Sequence, residues 1–350
     1  MRTLKLKKEN HNKFLEKISE TGELWGPKKK GELYVYGRID DIKDLVKEHV
    51  TTFLPIKKLF LPPQFQMFHY NGKTYEEEID KFEQRIIYGV PPCELHSLLI
   101  FDRVFGEKYK DPYYFKRREM SIIIALSCIP NETCFCKSTR THVIEEGFDI
   151  GMTNLDEFYL VWVGSSKGDD LIRMTPELFD ENVTQKDIHK FIEWREWRDT
   201  KFKEKLDFDI LPDIMDLNYD SPIWEQLGEK CLSCGSCSMV CPTCNCYDVR
   251  DEIEITDSSV NRERHWDSCM LKEYSMVAGG HNFREAKAER LKLWYSHKLE
   301  SFTGAYGKPS CVGCGRCINT CPVDINIFSV VKALLTGKVD DKTIITRNDK

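Results

Sequence analysis

A chain of 350 residues is longer than one hydrophobic core usually spans, which sets two domains as the expectation. Apolar residues at 41% and charged residues at 31% exclude an intrinsically disordered chain. A formal net charge of −6, with Lys and Arg scattered throughout, argues against nucleic acid as a partner.

The basic start MRTLKLKKENHNKF has no apolar stretch of signal-peptide length behind it. The longest apolar run, Ile122 to Ile129, falls far short of the roughly 17–25 residues of a membrane helix. The expectation is a cytoplasmic protein with no membrane segment. Rich in Val, Ile and aromatic residues, GELYVYGRI (31–39), QRIIYGV (84–90), MSIIIALSCI (120–129) and FYLVWVG (158–164) read as strands. Helical spacing fits residues 40–49 and Glu94 to Phe105. FDIGMTNLDEFYLVWVG reads as a hairpin turning at TNLDE. Thr184 with Asp187 marks a helix start, and Ser221-Pro222 a cap followed by Pro at the first helical position of a helix reaching Gly228. REAKAERLKLWYSHKLES (284–301) and INIFSVVKALLTG (325–337) read as two further helices.

Fifteen cysteines in a chain expected in a reducing compartment point to metal sites rather than disulfides. CLSCGSCSMVCP (231–242) and CVGCGRCINTCP (311–322) both read C-x2-C-x2-C-x3-C-P, the bacterial ferredoxin spacing. Three cysteines in a tight loop hold three corners of one cubane, and the fourth reaches the other cluster. One [4Fe–4S] cluster is thus expected on Cys231, Cys234, Cys237 and Cys321, and a second on Cys311, Cys314, Cys317 and Cys241. A pair of zinc sites is the competing reading of these thiols. The motifs start roughly 80 residues apart and the stretch between them reads as helix, which favours an α-helical ferredoxin-like domain. The expected fold class is α+β: a mixed α/β domain at 1–174, a helical connector at 175–230, and the dicluster domain at 231–350.

Seven cysteines remain. Cys93 follows one strand and Cys128 ends another, so adjacent parallel strands would bring them to one sheet edge, with Cys134 and Cys136 on the loop that follows. A third cluster, a zinc site and separate buried thiols are the three readings of that set. Cys244, Cys246 and Cys269 need a fourth ligand for a further metal site. His265 would supply it if the segment before Cys269 were helical, and Asp267 is near. The alternative is structural thiols that shield the neighbouring cubane. No G-x-G-x-x-G follows a predicted strand, and no P-loop or nucleophile elbow is present. There is a path for electrons in the sequence, with no flavin or nicotinamide fingerprint and no nickel–iron ligand pair at its ends.

CLSCGSCSMVCPTCNCYDV, RHWDSCMLKEYSMVAGGHNFR and SCVGCGRCINTCPVDI together resemble the β subunit of cytoplasmic sulfhydrogenases, the iron–sulfur subunit of soluble nickel–iron hydrogenases. The A subunit of anaerobic sulfite reductase is similar. YGVPPCELHSLLIFD and RREMSIIIALSCIPNETCFC carry the likeness into the first half. The resemblance implies an electron-transferring subunit that wires a flavoprotein partner using NAD(P) to hydrogenase-type or sulfite-reductase-type catalytic subunits. A rival expectation is a polysulfide or sulfite reductase subunit whose N-terminal cluster takes part in catalysis. The chain departs from the family pattern at Glu94, where Asp is expected, and the resemblance implies no ligand role for His265.

Overall fold

The computed structural model describes residues 2–339 apart from 78, 80, 81, 257 and 258. The strands are β1 Arg2–Lys7, β2 Glu23–Lys30, β3 Leu33–Arg38, β4 Gln64–Tyr70, β5 Tyr75–Glu77, β6 Arg85–Val90, β7 Ser121–Leu126, β8 Ile150–Asn154, β9 Phe158–Val163, β10 Phe179–Asp180, β11 Tyr247–Ile253 and β12 Val260–Trp266. Eight of them form one sheet in the order β10-β1-β9-β8-β7-β6-β2-β3. β2, β6, β7 and β8 run parallel at its centre, flanked by antiparallel pairs.

The near-continuous apolar runs of β6 and β7 follow from burial on both faces. Period-2 alternation sends Ile86, Tyr88, Ile122, Ile124 and Leu126 into a core with Phe14, Leu15 and Ile18 of the helix Lys8–Ser19. Ile87, Ile123 and Ala125 point the other way, against Leu95, Leu98 and Phe101 of the helix Pro92–Val104 and Tyr114 of the helix Pro112–Glu119. Each fully buried Ile or Leu contributes roughly 1.5–3 kcal/mol.

Two expectations change. Residues 40–49 hold only a short turn at Ile42–Asp44. Leu45 bridges to Lys28, and the Val46 N–H donates to the Pro27 carbonyl at 2.8 Å, so the segment runs extended beside β2. The expected connector begins inside the first sheet: β10 pairs with β1, and Val183, Phe191 and Trp194 pack on Leu155, Phe158 and Leu160. Thr184 and Asp187 do form a reciprocal capping box at the start of the helix Gln185–Asp199.

The second sheet, in the order β11-β12-β4-β5, joins the two halves of the chain. β4 from the first half pairs with β12 from the second, Asn261 facing His69. Beyond it, the helices Leu211–Leu217, Ile223–Lys230, Lys287–Ser296 and Ile327–Thr336 enclose a core of Trp224, Leu227, Leu291, Tyr295, Leu299 and Val330. A Cβ at Gly228 would lie 2.7 Å from the Ala288 backbone nitrogen, so two of these helices meet backbone to backbone. The Lys287–Ser296 helix continues through one π turn, His297–Ser301, to Tyr306. The last helix ends at the left-handed Gly337. Together the halves make an α+β fold with a helical ferredoxin-like C-terminal part. Residues 340–350, the end of the expected C-terminal domain, lie outside the described residues.

Candidate iron–sulfur centres

Each ferredoxin-spaced motif turns on a left-handed glycine, Gly235 in the first and Gly315 in the second, that opens a short helix carrying the third cysteine. Backbone N–H groups already point at sulfur: Ser233 donates to Cys231 Sγ at 3.4 Å, and Gly313 to Cys311 Sγ at 3.5 Å. One cavity is lined by Cys231, Cys234, Cys237 and Cys321. A second is lined by Cys241, Cys311, Cys314 and Cys317. Each cavity gathers three thiols of one motif and the fourth thiol of the other. The two share Cys317, Trp294 and Tyr295 in their walls, so they are neighbours.

The parallel pairing of β6 with β7 places Cys93, at the start of the helix after β6, near Cys128, two residues past β7. Cys93, Cys134 and Cys136 share one buried cluster with Val312 and Cys314. Cys128 interacts electrostatically with all three of these thiols. Burial pushes Cys128 up to about 12 and Cys134 up to about 11. Thiols held this way give up their protons when a metal's charge replaces them. The set sits directly on the second motif. The Phe135 N–H donates to the Gly313 carbonyl at 2.8 Å, and Thr141 Oγ1 donates to the Val312 carbonyl at 2.8 Å. A Cβ on Gly313 would stand 2.6 Å from Cys136 Cα, so only glycine fits there.

Cys246 and Cys269 meet, Cys244 contacts Cys241 nearby, and His265 joins none of them. Residues 260–266 are a strand, not a helix, so a four-residue spacing does not bring His265 round to Cys269. Its Nε2 lies 3.0 Å from Glu263, two residues back on the same strand face. Asp267 Oδ1 accepts from the Ser268 N–H.

Buried positive charge tracks these thiols, which no motif in the sequence signals. Arg316, from within the second motif, is 5% exposed and pairs with the fully buried Glu94; its Nε donates to the Thr52 carbonyl at 2.9 Å. Glu94 also accepts from the Ile56 N–H at 2.6 Å. Arg198, 2% exposed, bonds Asp199 and the His142 carbonyl while facing Cys128 and Cys136. Arg290 reaches Ser233 in the first motif at 3.2 Å. Lys298 lines the second cavity and donates to Thr243 Oγ1 at 2.8 Å. Burial works against its charge, and the sulfurs of Cys241, Cys244 and Cys311 overcome that, holding its pKa above the usual lysine range. Buried cations need nearby negative charge. Among the described residues, no three His, Cys, Asp or Glu side chains close on one point as a single metal ion requires. All-thiol donor sets around cavities, with buried cations beside them, fit anionic polynuclear iron–sulfur groups.

Residues 230–325 match the family model of a 4Fe-4S dicluster domain. Along nearly its whole length, the chain is also similar to sulfhydrogenase 2 subunit beta of Pyrococcus furiosus. The two are 37% identical over 339 residues, which span 97% of this chain and 100% of the relative. The chain belongs to the sulfhydrogenase beta subunit family. It is an iron–sulfur protein with two [4Fe–4S] clusters in its dicluster domain and a role in electron transfer. Among the described residues, no helix is long and apolar enough to cross a membrane.

Proposed function

We propose that this chain is a non-catalytic electron relay within a hydrogenase-type complex, passing electrons between a flavoprotein partner that uses NAD(P) and the catalytic subunits. In this reading Cys231, Cys234, Cys237 and Cys321 ligate one [4Fe–4S] cluster, and Cys241, Cys311, Cys314 and Cys317 the other. Cys93, Cys128, Cys134 and Cys136 ligate a third. Bound clusters supply one-electron storage at each site. The observation that carries the reading is the adjacency of the cysteine sets: Cys317 borders both motif cavities, and Cys314 packs against Cys93, Cys134 and Cys136.

The chain's own residues provide insulation and counter-charge. Trp294 and Tyr295 stand in the walls of both motif cavities, and Arg316 faces both Cys314 and Cys93. Cys93, Cys128, Cys134 and Cys136 are each buried to 9% exposure or less, which favours electron passage over binding of a sulfur substrate there. In this reading the exposed Cys234 is one end of the path. In the same reading residues 231–339 work as the relay module, and the large sheet carries its N-terminal extension.

Anaerobically purified full chain should exchange electrons with artificial dyes and turn over neither hydrogen nor NAD(P)H. Appreciable turnover of either substrate by the pure chain would overturn this reading.

A further inference from the structure

Three thiols stand outside the sites above, and the hairpin of β11 and β12 brings two of them, Cys246 and Cys269, together. Tyr247 pairs with Trp266, and the Asp267 N–H donates to the Cys246 carbonyl at 3.0 Å. Cys246 therefore enters the hairpin where Cys269 leaves it. The Cys246 thiol meets the Cys269 thiol and the phenol of Tyr274. Cys244, two residues earlier, meets Cys241, and Cys269 faces Cys237.

Two buried ammonium groups bracket this set. Lys57 is 2% exposed. Its Nζ donates to the carbonyls of Ser238 at 3.2 Å and Cys244 at 3.1 Å, and stands 4.2 Å from the Trp266 ring centroid. Lys298, equally buried, donates to the hydroxyls of Thr243 and Ser310. Among the described residues both bond only neutral oxygens, an unfavourable arrangement unless negative charge lies close by. Lys298 lines the cavity of Cys241, Cys311, Cys314 and Cys317, so the cluster assigned there answers it. Lys57 does not line that cavity; it holds the Cys244 carbonyl and faces the sulfurs of Cys244, Cys241 and Cys246.

We propose that Cys244, Cys246 and Cys269 ligate a further [4Fe–4S] cluster, with the oxygen of Tyr274 in place of a fourth thiolate and Lys57 as its counter-charge. The three thiols do not close on one point, so a single zinc ion fits them less well than a cluster. The site adjoins Cys241 and Cys237, which places it within the relay and ties the β4–β12 sheet to it. The inference rests on the iron–sulfur reading of the neighbouring sites.

The test uses the full chain, purified anaerobically. Wild type should hold about sixteen irons and sixteen acid-labile sulfides, at four per cubane. Cys246→Ser with Cys269→Ser should lose about four of each while the EPR signals of the ferredoxin-spaced pair persist. Lys57→Met keeps every ligand and covers the case in which the cysteine variant does not fold. One cluster should then become harder to reduce by at least tenfold in its equilibrium, about 59 mV for one electron. Unchanged iron in the cysteine variant would overturn the proposal, whatever the wild-type total. So would a Lys57→Met chain in which no potential moves. Loss of the ferredoxin-type signals in wild type would instead overturn the relay itself.

Discussion

The two halves of the molecule are held together by different means. The large sheet is closed on both faces by aliphatic and aromatic side chains, and Ile86, Ile87, Ile123 and Ile124 are fully buried there. The C-terminal part packs its helices on Trp224, Leu291 and Tyr295, but Cys237, Cys269, Cys311 and Cys317 border that core as well. A sheet made of apolar burial carries its own stability, whereas a core walled by unligated thiols depends on what they bind. The difference teaches where iron matters for folding and where it matters only for function.

Iron removal should separate the halves most sharply. Anaerobic chelation should abolish hydrogen-exchange protection across 231–325 and leave β6, β7 and β8 protected, since cluster binding and folding are coupled in such modules. Uniform loss of protection would show that the sheet also leans on the clusters.

The clamp between the halves comes next. Glu94→Gln leaves Arg316 buried without a carboxylate, and breaking a buried pair costs about 3–5 kcal/mol. Denaturant unfolding should show the first transition falling by that order, with Cys93 and Cys136 becoming reactive to alkylation. A shift below about 1 kcal/mol would mean that the backbone contacts at Gly313 hold the junction unaided.

Mild acid should reach the sheet domain through His11. Burial brings His11, between Tyr88 and Tyr159, down to about 4. The unfolded state takes the proton first. The neutral ring's stability contribution is therefore complete above pH 6.5 and is lost as pH falls toward 4. The loss is on the order of 3 kcal/mol, and His11→Phe should flatten the slope of stability against pH in that window. An unchanged slope would contradict the assignment.

The smallest effect belongs to Thr141→Val, which deletes the hydrogen bonds to Val312 in the second motif and to Thr139 and should cost about 1–2 kcal/mol without loss of iron.

Local spacing carries far in this chain, and distant packing does not. Both ferredoxin motifs, the β6–helix–β7 unit and the Thr184 capping box are legible because the residues that matter lie within a few positions of one another. The convergence of Cys93 with Cys128 follows from strand adjacency, but its seat on Gly313 and Cys314 depends on a contact some 180 residues away in the chain. Nothing in LPIKKLF distinguishes Lys57 from its neighbour Lys58 as the buried residue. β2 is hidden by Gly26-Pro27, which reads as a break, and residues 40–49 have helical spacing that pairing with β2 overrides. His265 fails as a ligand for the same reason: its four-residue spacing reaches Cys269 only on a helix, and the chain there is extended.

The most direct test of an iron–sulfur relay reaching from the ferredoxin motifs into the sheet domain is the iron and acid-labile sulfide content of the anaerobic full chain, measured beside Cys134→Ser. The account predicts at least twelve irons in wild type and about four fewer in the variant. Eight irons in both would contradict it.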